Sequence, residues 1–270
     1  MKDYIYTDLA LENSSTSRTG KTETVFSEMG IKIIKTTFDS NSYNGLLPRD
    51  IYYTVDCGSL SRISEDKVLC VSQIISKKIS EIVKHAEHTT EHFSVLVVGL
   101  GNRMMCADSL GSLTCDLINV ITGVNYKINV YTLAPGIKAQ TGIPLSKLTH
   151  CASKVTDADL IICVDALCAR DASRLGSVIQ IGTCGISPGS AFVKKREDIS
   201  FSTTSVPVIS IGIPTVISAQ TLVCSLAYDT REDIFEYLSN LYVTPSDCDI
   251  ISKNGAYIIS DAINNAFRGY

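Results

Sequence analysis

The feature that most constrains the fold is a series of short, almost entirely apolar segments. SVLVVGL (94–100), DLIICVDAL (159–167) and VPVISIGI (206–213) alternate with segments of helical spacing. Strands of this kind are typical of a parallel sheet whose two faces are both covered by helices. The pattern therefore predicts an α/β fold, with a mostly parallel sheet flanked by helices over the middle of the chain.

Apolar residues repeating at intervals near 3.6 predict helices between the strands. The clearest helix begins at Ser64, with acidic residues in its first turn and a regular apolar stripe after them. Further helices are expected near 109–121 and 144–155, from about Thr215, and across 250–266 as a closing helix. Two more strands are expected at INVYTL (128–133) and SVIQIG (177–182).

The N-terminal part has a different character. Residues 1–30 are rich in Ser, Thr and Glu with little periodicity, which predicts a loosely held, flexible arm. IKIIKTTF (31–38) and IYYTVDC (51–57) are β-prone runs separated by turn-forming residues, so we expect a small β-rich portion built on a hairpin. Residues 31–270 are expected to form a single α/β domain.

The charge limits the classes of partner that the sequence favours, and the cysteines and apolar runs indicate the cellular compartment. The formal net charge is −4, with both signs interspersed, which does not favour nucleic acid or an anionic membrane as a partner. No apolar run approaches the roughly 20 residues of a membrane span, and the N-terminus lacks the pattern of a signal peptide. Ten cysteines without a CxxC pair predict reduced thiols. We therefore expect a soluble, cytoplasmic protein.

The segment LVVGLGNRMMCADSLG (96–111) resembles a dinucleotide-binding turn only in part. The fingerprint needs a third glycine where this chain has Met104, and no G-K-[ST] follows. The sequence thus disfavours a nucleotide, and no cofactor is predicted. What remains is a strand that ends in a glycine turn and delivers Asp108 just ahead of a helix.

A second acid is expected at the same edge of the sheet. Asp165 follows four apolar residues in IICVDALCAR (161–170). Ligands of open α/β sheets lie beyond the carboxyl ends of the strands, where both aspartates would fall. Two close carboxyls cannot both ionise cheaply, so one can act as an acid and the other as a base. A helix N-terminus would favour the anion at Asp108, and burial would disfavour it at Asp165. Satisfaction of each acid by nearby backbone N–H groups is the alternative.

Two other candidate sites carry weaker signals. The histidines of HAEHTTEH (85–92) have a spacing that a metal could use, but the end of an exposed helix favours surface residues, and no metal is predicted. Cys106 lies two residues before Asp108, yet no histidine falls in a neighbouring strand-end segment to activate it as a nucleophile.

Several segments in order resemble the germination protease family of spore-forming Firmicutes. They are LVVGLGN (96–102), ADSLG (107–111), LAPGIKAQTGI (133–143), DLIICVDALCAR (159–170), IQIGTCGISPGSA (179–191), VPVISIGIPTVISA (206–219) and VTPSDCD (243–249). The resemblance implies an endopeptidase that degrades small acid-soluble spore proteins during germination, in the cytoplasm of the forespore or spore core. It also implies a fold shared with hydrogenase maturation proteases, two catalytic aspartates, and a homotetramer made from an inactive precursor. The family's aspartates fall on Asp108 and Asp165.

The resemblance extends to TDLALE (7–12), which is similar to the family's substrate pattern of an acid, a bulky apolar residue, alanine and a further acid. It implies self-cleavage between Asp8 and Leu9, with residues 1–8 as a propeptide; an ordinary frayed terminus is the alternative. Lys195 and Arg196 belong to a short basic cluster that could bind a substrate glutamate at the cleaved bond, or could simply be a solvated loop.

The chain also departs from the family pattern. Ser187 stands where the family is expected to have a histidine, and the segment before VTPSDCD is shorter than in the family. These departures favour the alternative function, a non-catalytic, sporulation-associated homologue that acts as a binding or assembly module. The presence of both aspartates and of the substrate-like arm favours the peptidase.

Overall fold

A mixed sheet of nine strands forms the centre of the part that the computed structural model describes, residues 6–12, 20–39, 47, 50–84, 92–188, 198–226 and 237–268. Its strands are β1 Thr22–Glu28, β2 Ile31–Thr37, β3 Ile51–Asp56, β4 Phe93–Leu100, β5 Ile128–Gly136, β6 Leu160–Ala169, β7 Val178–Gly182, β8 Val208–Ser218 and β9 Tyr242–Val243. The order across the sheet is β1-β2-β3-β7-β8-β6-β4-β5, and β9 pairs with β8.

Strands β8, β6, β4 and β5 are parallel, whereas β1, β2, β3, β7 and β9 join by antiparallel pairing. The predicted α/β class with a flanked sheet is confirmed, and the expected hairpin of β2 and β3 is present. The antiparallel part is larger than the sequence suggests, because β7 inserts between β3 and β8.

Helices cover both faces of the sheet, and their described ranges are α1 Glu65–Val83, α2 Leu110–Asp116, α3 Lys138–Thr141, α4 Leu145–Val155, α5 Phe201–Thr204, α6 Ala219–Leu226 and α7 Cys248–Ala266. Alternation along β4 divides the core: Val95 and Val97 pack in the cluster that includes α1 and α7, while Leu96 and Val98 pack in the cluster that includes α4. Both faces of the parallel strands are therefore buried, as their continuous apolar sequence predicts.

The predicted helices at Ser64, 144–155 and 250–266 are confirmed as α1, α4 and α7. The helix expected from about Thr215 is present as α6, but its predicted start is wrong, because β8 continues to Ser218 and α6 begins only at Ala219. The end of β8 stays in the sheet since Val216 and Ile217 pair with the last residues of β6 across a register shift.

The N-terminal residues differ from the loose arm expected over 1–30. β1 pairs with β2 along its whole length, and its outer position at the sheet edge explains why its sequence is polar. In residues 6–12, Leu9 and Ala10 are buried in apolar contacts. The assignment of residues 31–270 to one domain, with 1–8 as a propeptide, stays a prediction.

All ten cysteines are free, as expected, although Cys106 and Cys151 are exposed. Within the described ranges no helix has both the length and the apolar character needed to cross a membrane.

Candidate active site

Asp108 lies in a short 3-10 turn, Cys106–Asp108, that follows β4 and precedes α2. Its Oδ2 accepts a hydrogen bond of 2.7 Å from the backbone N–H of Asn102. The chain reaches this geometry through Gly101, which has a φ of 96°. A Cβ on Gly101 would lie 2.1 Å from the backbone oxygen of Asp108, so no other residue fits there. The glycine turn predicted from the sequence thus holds the Asp108 carboxyl close to the end of β4.

Neighbouring elements fix the same turn. The Thr215 hydroxyl on β8 donates to the Ala107 carbonyl at 2.6 Å, and the Ser252 hydroxyl on α7 donates to the Cys106 carbonyl at 2.8 Å. Gly111 lets α2 approach the sheet closely, since a Cβ there would lie 2.4 Å from the backbone nitrogen of Leu100. The position of Asp108 therefore depends on contacts with β4, β8, α2 and α7.

Asp165 lies inside β6 rather than at its end, because β6 continues to Ala169 beside β8. Pairing with β4 stops at Gly99 and Val164, however, so Asp165 is the first residue of β6 beyond that pairing, at the level where β4 ends. The side chain is 6% exposed, and its Oδ1 accepts from the backbone N–H of Ala166 at 2.9 Å.

Asp165 lies within the range of the negative charges of Asp108 and of a third acid, Asp8. Burial, followed by the negative charges of Asp108 and Asp8, holds the pKa of Asp165 well above its usual range. Burial also raises the pKa of Asp108, and the hydrogen bond from Asn102 opposes that rise. Of the two predicted acids, Asp165 has the surroundings that favour a protonated carboxyl more strongly.

The segment Thr7–Glu12 lies across this acidic site, held by hydrogen bonds; Ala10–Glu12 form a short 3-10 turn closed by the Glu12 N–H, which donates to the Leu9 carbonyl at 3.0 Å. The backbone N–H of Asp8 donates to the Cys168 carbonyl at 2.9 Å, and the Cys168 N–H donates to Asp8 Oδ2 at 2.8 Å. Gln180 binds the backbone on both sides of Leu9: its Nε2 donates to the Asp8 carbonyl at 3.1 Å, and its Oε1 accepts from the Ala10 N–H at 2.7 Å.

Three residues of this segment, Leu9, Ala10 and Glu12, are buried. Leu9 is fully buried, in a pocket formed by Leu167, Ala169 and Val178. Ala10 packs against Phe38 and Tyr52, and the Glu12 carboxylate binds two backbone N–H groups and Arg174. The substrate-like segment found in the sequence is therefore bound in a cleft of its own chain.

Gln180 is a site residue that the sequence analysis did not identify. It lies on β7, is 5% exposed, and is a single polar residue in the apolar run VIQIG (178–182), which was the available signal. Beside it lies a cavity of about 130 Å³, lined in part by Tyr6, Asp8, Gln180 and Ser187.

The other candidates from the sequence either lie outside the described residues or make contacts with other partners. Lys195 and Arg196 lie outside the described residues, as do the first two histidines of HAEHTTEH. The Nδ1 of His92 is 3.1 Å from the Tyr126 carbonyl oxygen. Ser187 donates its hydroxyl hydrogen bond to the Asp198 carboxylate. Among the described residues, no group of three or more His, Cys, Asp or Glu side chains has the arrangement of a metal site.

Fold and site together define an α/β protein with an acidic, peptide-holding cleft at the carboxyl end of its parallel strands. A family model described as germination protease matches residues 7–238. The chain therefore belongs to the germination protease family, and its family function is that of a spore germination endopeptidase, a hydrolase of peptide bonds.

Individual relatives agree with the family. The chain is 31% identical to a germination protease of Clostridium acetobutylicum over 80% of this chain and 78% of the relative. It is 29% identical to that of Caldanaerobacter subterraneus over 98% and 94% of the two chains. It is 32% identical to that of Priestia megaterium and spans about half of that relative, 51%.

Among solved structures, the chain is similar to the crystal structure of a [NiFe] hydrogenase maturation protease, HycI, from Thermococcus kodakarensis. The TM-score is 0.38 at 15% identity, covering 67% of this chain and 98% of that one.

Proposed function

We propose that this endopeptidase is aspartate-dependent, with Asp108 and Asp165 as its catalytic pair. The observation that carries the proposal is the position of the Asp8–Leu9 peptide, held in the cleft while the Asp8 and Asp108 charges both act on the buried Asp165 carboxyl. A peptide bond placed beside two interacting acids has the groups that acid–base hydrolysis needs.

In this mechanism the ionised Asp108 accepts a proton from water as the water oxygen bonds to the Asp8 carbonyl carbon. Protonated Asp165 supplies a proton to the leaving nitrogen of Leu9 as the carbon–nitrogen bond breaks, giving a carboxyl group and an amine. The surroundings of the two acids support this division of roles, because burial and two neighbouring negative charges raise the pKa of Asp165. The amide of Gln180, which already donates to the Asp8 carbonyl, supports the negative charge that develops on that oxygen.

The same proposal includes synthesis as a precursor that cuts itself between Asp8 and Leu9 and so releases residues 1–8. Binding of Thr7–Glu12 in the cleft supports it, since the bond to be cut is already held there. The resemblance of the chain extends the proposal to small acid-soluble spore proteins as substrates, to a homotetramer, and to action in the cytoplasm of the forespore or spore core. Lys195 and Arg196 stay candidate substrate-binding residues.

The test is the intact mass of the purified full chain during incubation at mildly acidic pH, together with cleavage of a peptide with the sequence of residues 4–16. We expect loss of residues 1–8 and cleavage after the aspartate, and neither in Asp108→Asn or Asp165→Asn. Equal cleavage by all three proteins would exclude the pair. A folded wild-type chain that cuts neither itself nor the peptide would support the non-catalytic, binding-module alternative.

A further inference from the structure

The Glu12 carboxylate occupies a fully built anion site. The residue is 5% exposed. Its Oε2 accepts from the backbone N–H of Arg170 at 2.6 Å, and its Oε1 accepts from the N–H of Asp171 at 3.1 Å. Arg174 Nε lies 3.1 Å from Oε1 as an ion pair, and the Thr7 hydroxyl also donates to the carboxylate. Burial of a carboxylate is costly unless its charge is matched, and here a cation and three hydrogen-bond donors match it.

The loop that supplies these groups, residues 170–174, is held in shape by its own contacts. Asp171 Oδ1 accepts from the Ser173 N–H at 2.9 Å and from the Ser173 hydroxyl at 2.8 Å. The Arg174 N–H donates to the Asp171 carbonyl at 3.1 Å. Since none of these contacts involves Glu12, the two N–H groups are in place for any carboxylate that reaches them. The Arg174 Nε also lies 3.9 Å from Asp171 Oδ2, within the same loop. We refer to residues 170–174 as the anion loop.

The number of residues between the Asp8–Leu9 bond and Glu12 indicates what the anion loop could do. Gln180 holds the Asp8 carbonyl, Leu9 fills the apolar pocket, and Glu12 reaches the anion loop. The anion loop therefore binds the acidic side chain of the fourth residue after the Asp8–Leu9 bond. A second peptide following the same path would bring its own fourth residue after the cut to Arg174.

The further acid of the family's substrate pattern stands four positions after the cleaved bond, and we propose that the anion loop is the subsite that binds it, with Arg174 as the specificity-determining residue. Glu12 occupies this subsite in the precursor, and a substrate acid occupies it in the processed enzyme. A glutamine there would lose the ion pair, and a lysine would meet Arg174 with like charge. This inference rests on the proposed peptidase function.

The experiment compares three peptides with the sequence of residues 4–16, one natural and two with Gln or Lys in place of the glutamate at position 12. The full wild-type chain should cleave the natural peptide about tenfold or more faster, by kcat/KM, than the glutamine peptide, in line with the strength of a charged hydrogen-bonded pair. It should cleave the lysine peptide most slowly. This comparison needs no enzyme variant, so it does not depend on the folding of one.

Variants then assign the preference to Arg174. Arg174→Ala should cleave the natural and glutamine peptides at nearly equal rates, and Arg174→Lys should keep part of the preference. Arg62→Ala, which removes the same charge from an exposed neighbouring turn, should keep all of it.

Cleavage of all three peptides at one rate, or an unchanged preference in a folded Arg174→Ala, would overturn the subsite while leaving the peptidase function intact. Failure of the wild-type chain to cleave any peptide would contradict the proposed function and remove the substrate role of the anion loop with it.

Discussion

Asp165 and Gln180 lie on either side of Gly212, because each is the register partner of that glycine in β8. Residues paired in this way on adjacent strands project to the same face of a sheet. Gly212 has no space for a side chain, since a Cβ would lie 2.6 Å from the Asp165 carbonyl oxygen and 2.6 Å from Leu167 Cγ. The relative positions of the Asp165 carboxyl and the Gln180 amide are therefore fixed by the pairing of three adjacent strands, β6, β8 and β7.

Replacing either acid of the pair should abolish cleavage with little change in fold. We expect Asp108→Asn and Asp165→Asn to lower the rate of self-processing by roughly 10²–10⁴-fold, the usual contribution of general acid–base groups. Asp116→Asn is the matched control, because its exposed carboxylate forms an ion pair with Arg103 on the surface. Intact mass against time measures the rate. A control variant that is as slow as the other two would argue against a specific role for the pair.

The raised pKa of Asp165 makes a prediction about stability. Its carboxyl keeps its proton to higher pH in the folded chain than in the unfolded chain, so its contribution to folding is present at low pH and is lost as pH rises through the folded pKa. Asp165→Asn has no proton to lose. Its Tm relative to that of the intact wild-type chain should therefore increase between about pH 4 and about pH 8. A Tm difference that does not change with pH would contradict the burial argument.

Gln180→Leu should weaken the binding of the Asp8–Leu9 peptide to the sheet, leaving the two hydrogen bonds between Asp8 and Cys168. The substitution removes both hydrogen bonds that Gln180 makes to the segment, each worth roughly 1 kcal/mol or more when buried. We expect self-processing to slow by about tenfold or more, and amide exchange at Ala10 to rise even when processing is blocked by Asp165→Asn. Gln73→Leu on the exposed side of α1 is the control. Protected exchange at Ala10 in Gln180→Leu would show that the segment is held by other contacts.

Gly111→Ala should push α2 away from β4 and displace the turn that bears Asp108. The added Cβ would lie 2.4 Å from backbone atoms of Leu100 and Val164, which cannot move aside singly. We expect a loss of roughly 1–3 kcal/mol in the free energy of unfolding, measured with urea. In Gly255→Ala on α7 the Cβ would meet the Cδ1 of Ile213 at 2.2 Å, a side-chain end that can rotate. Equal losses in the two variants would refute the close-approach argument.

The two catalytic candidates could be found from the sequence because their signals are local. Asp108 follows a glycine turn after an apolar strand, and Asp165 interrupts another apolar strand. A polar residue in either place stands out in the sequence as a candidate for the edge of the sheet. The predicted start of α6 at about Thr215 is wrong for the opposite reason: the pairing of Val216 and Ile217 with β6 is a long-range contact, and it overrides what the local sequence indicates.

Gln180 could not be placed in the same way. Its position opposite Asp165 depends on β7 pairing antiparallel with β8, although β6 and β7 are consecutive in the chain. Local periodicity does not specify which strands pair or in which register. The same limit applies to residues 7–12, whose polar flanks suggest a loose arm; burial of Leu9 becomes visible only when the strands that form its pocket are assembled.

Because Glu12 is anchored downstream of the Asp8–Leu9 bond, cutting that bond would not by itself empty the cleft. Residues 9–12 would become a product that is still tethered to the enzyme, present at an effective concentration of the order of millimolar. Every incoming peptide would have to compete with this tethered product for the apolar pocket and for Arg174. Activation would thus consist of two separable events, cleavage of the Asp8–Leu9 bond and release of residues 9–12 from the cleft. The release of Leu9 and Glu12 would determine how readily the enzyme binds its first substrate.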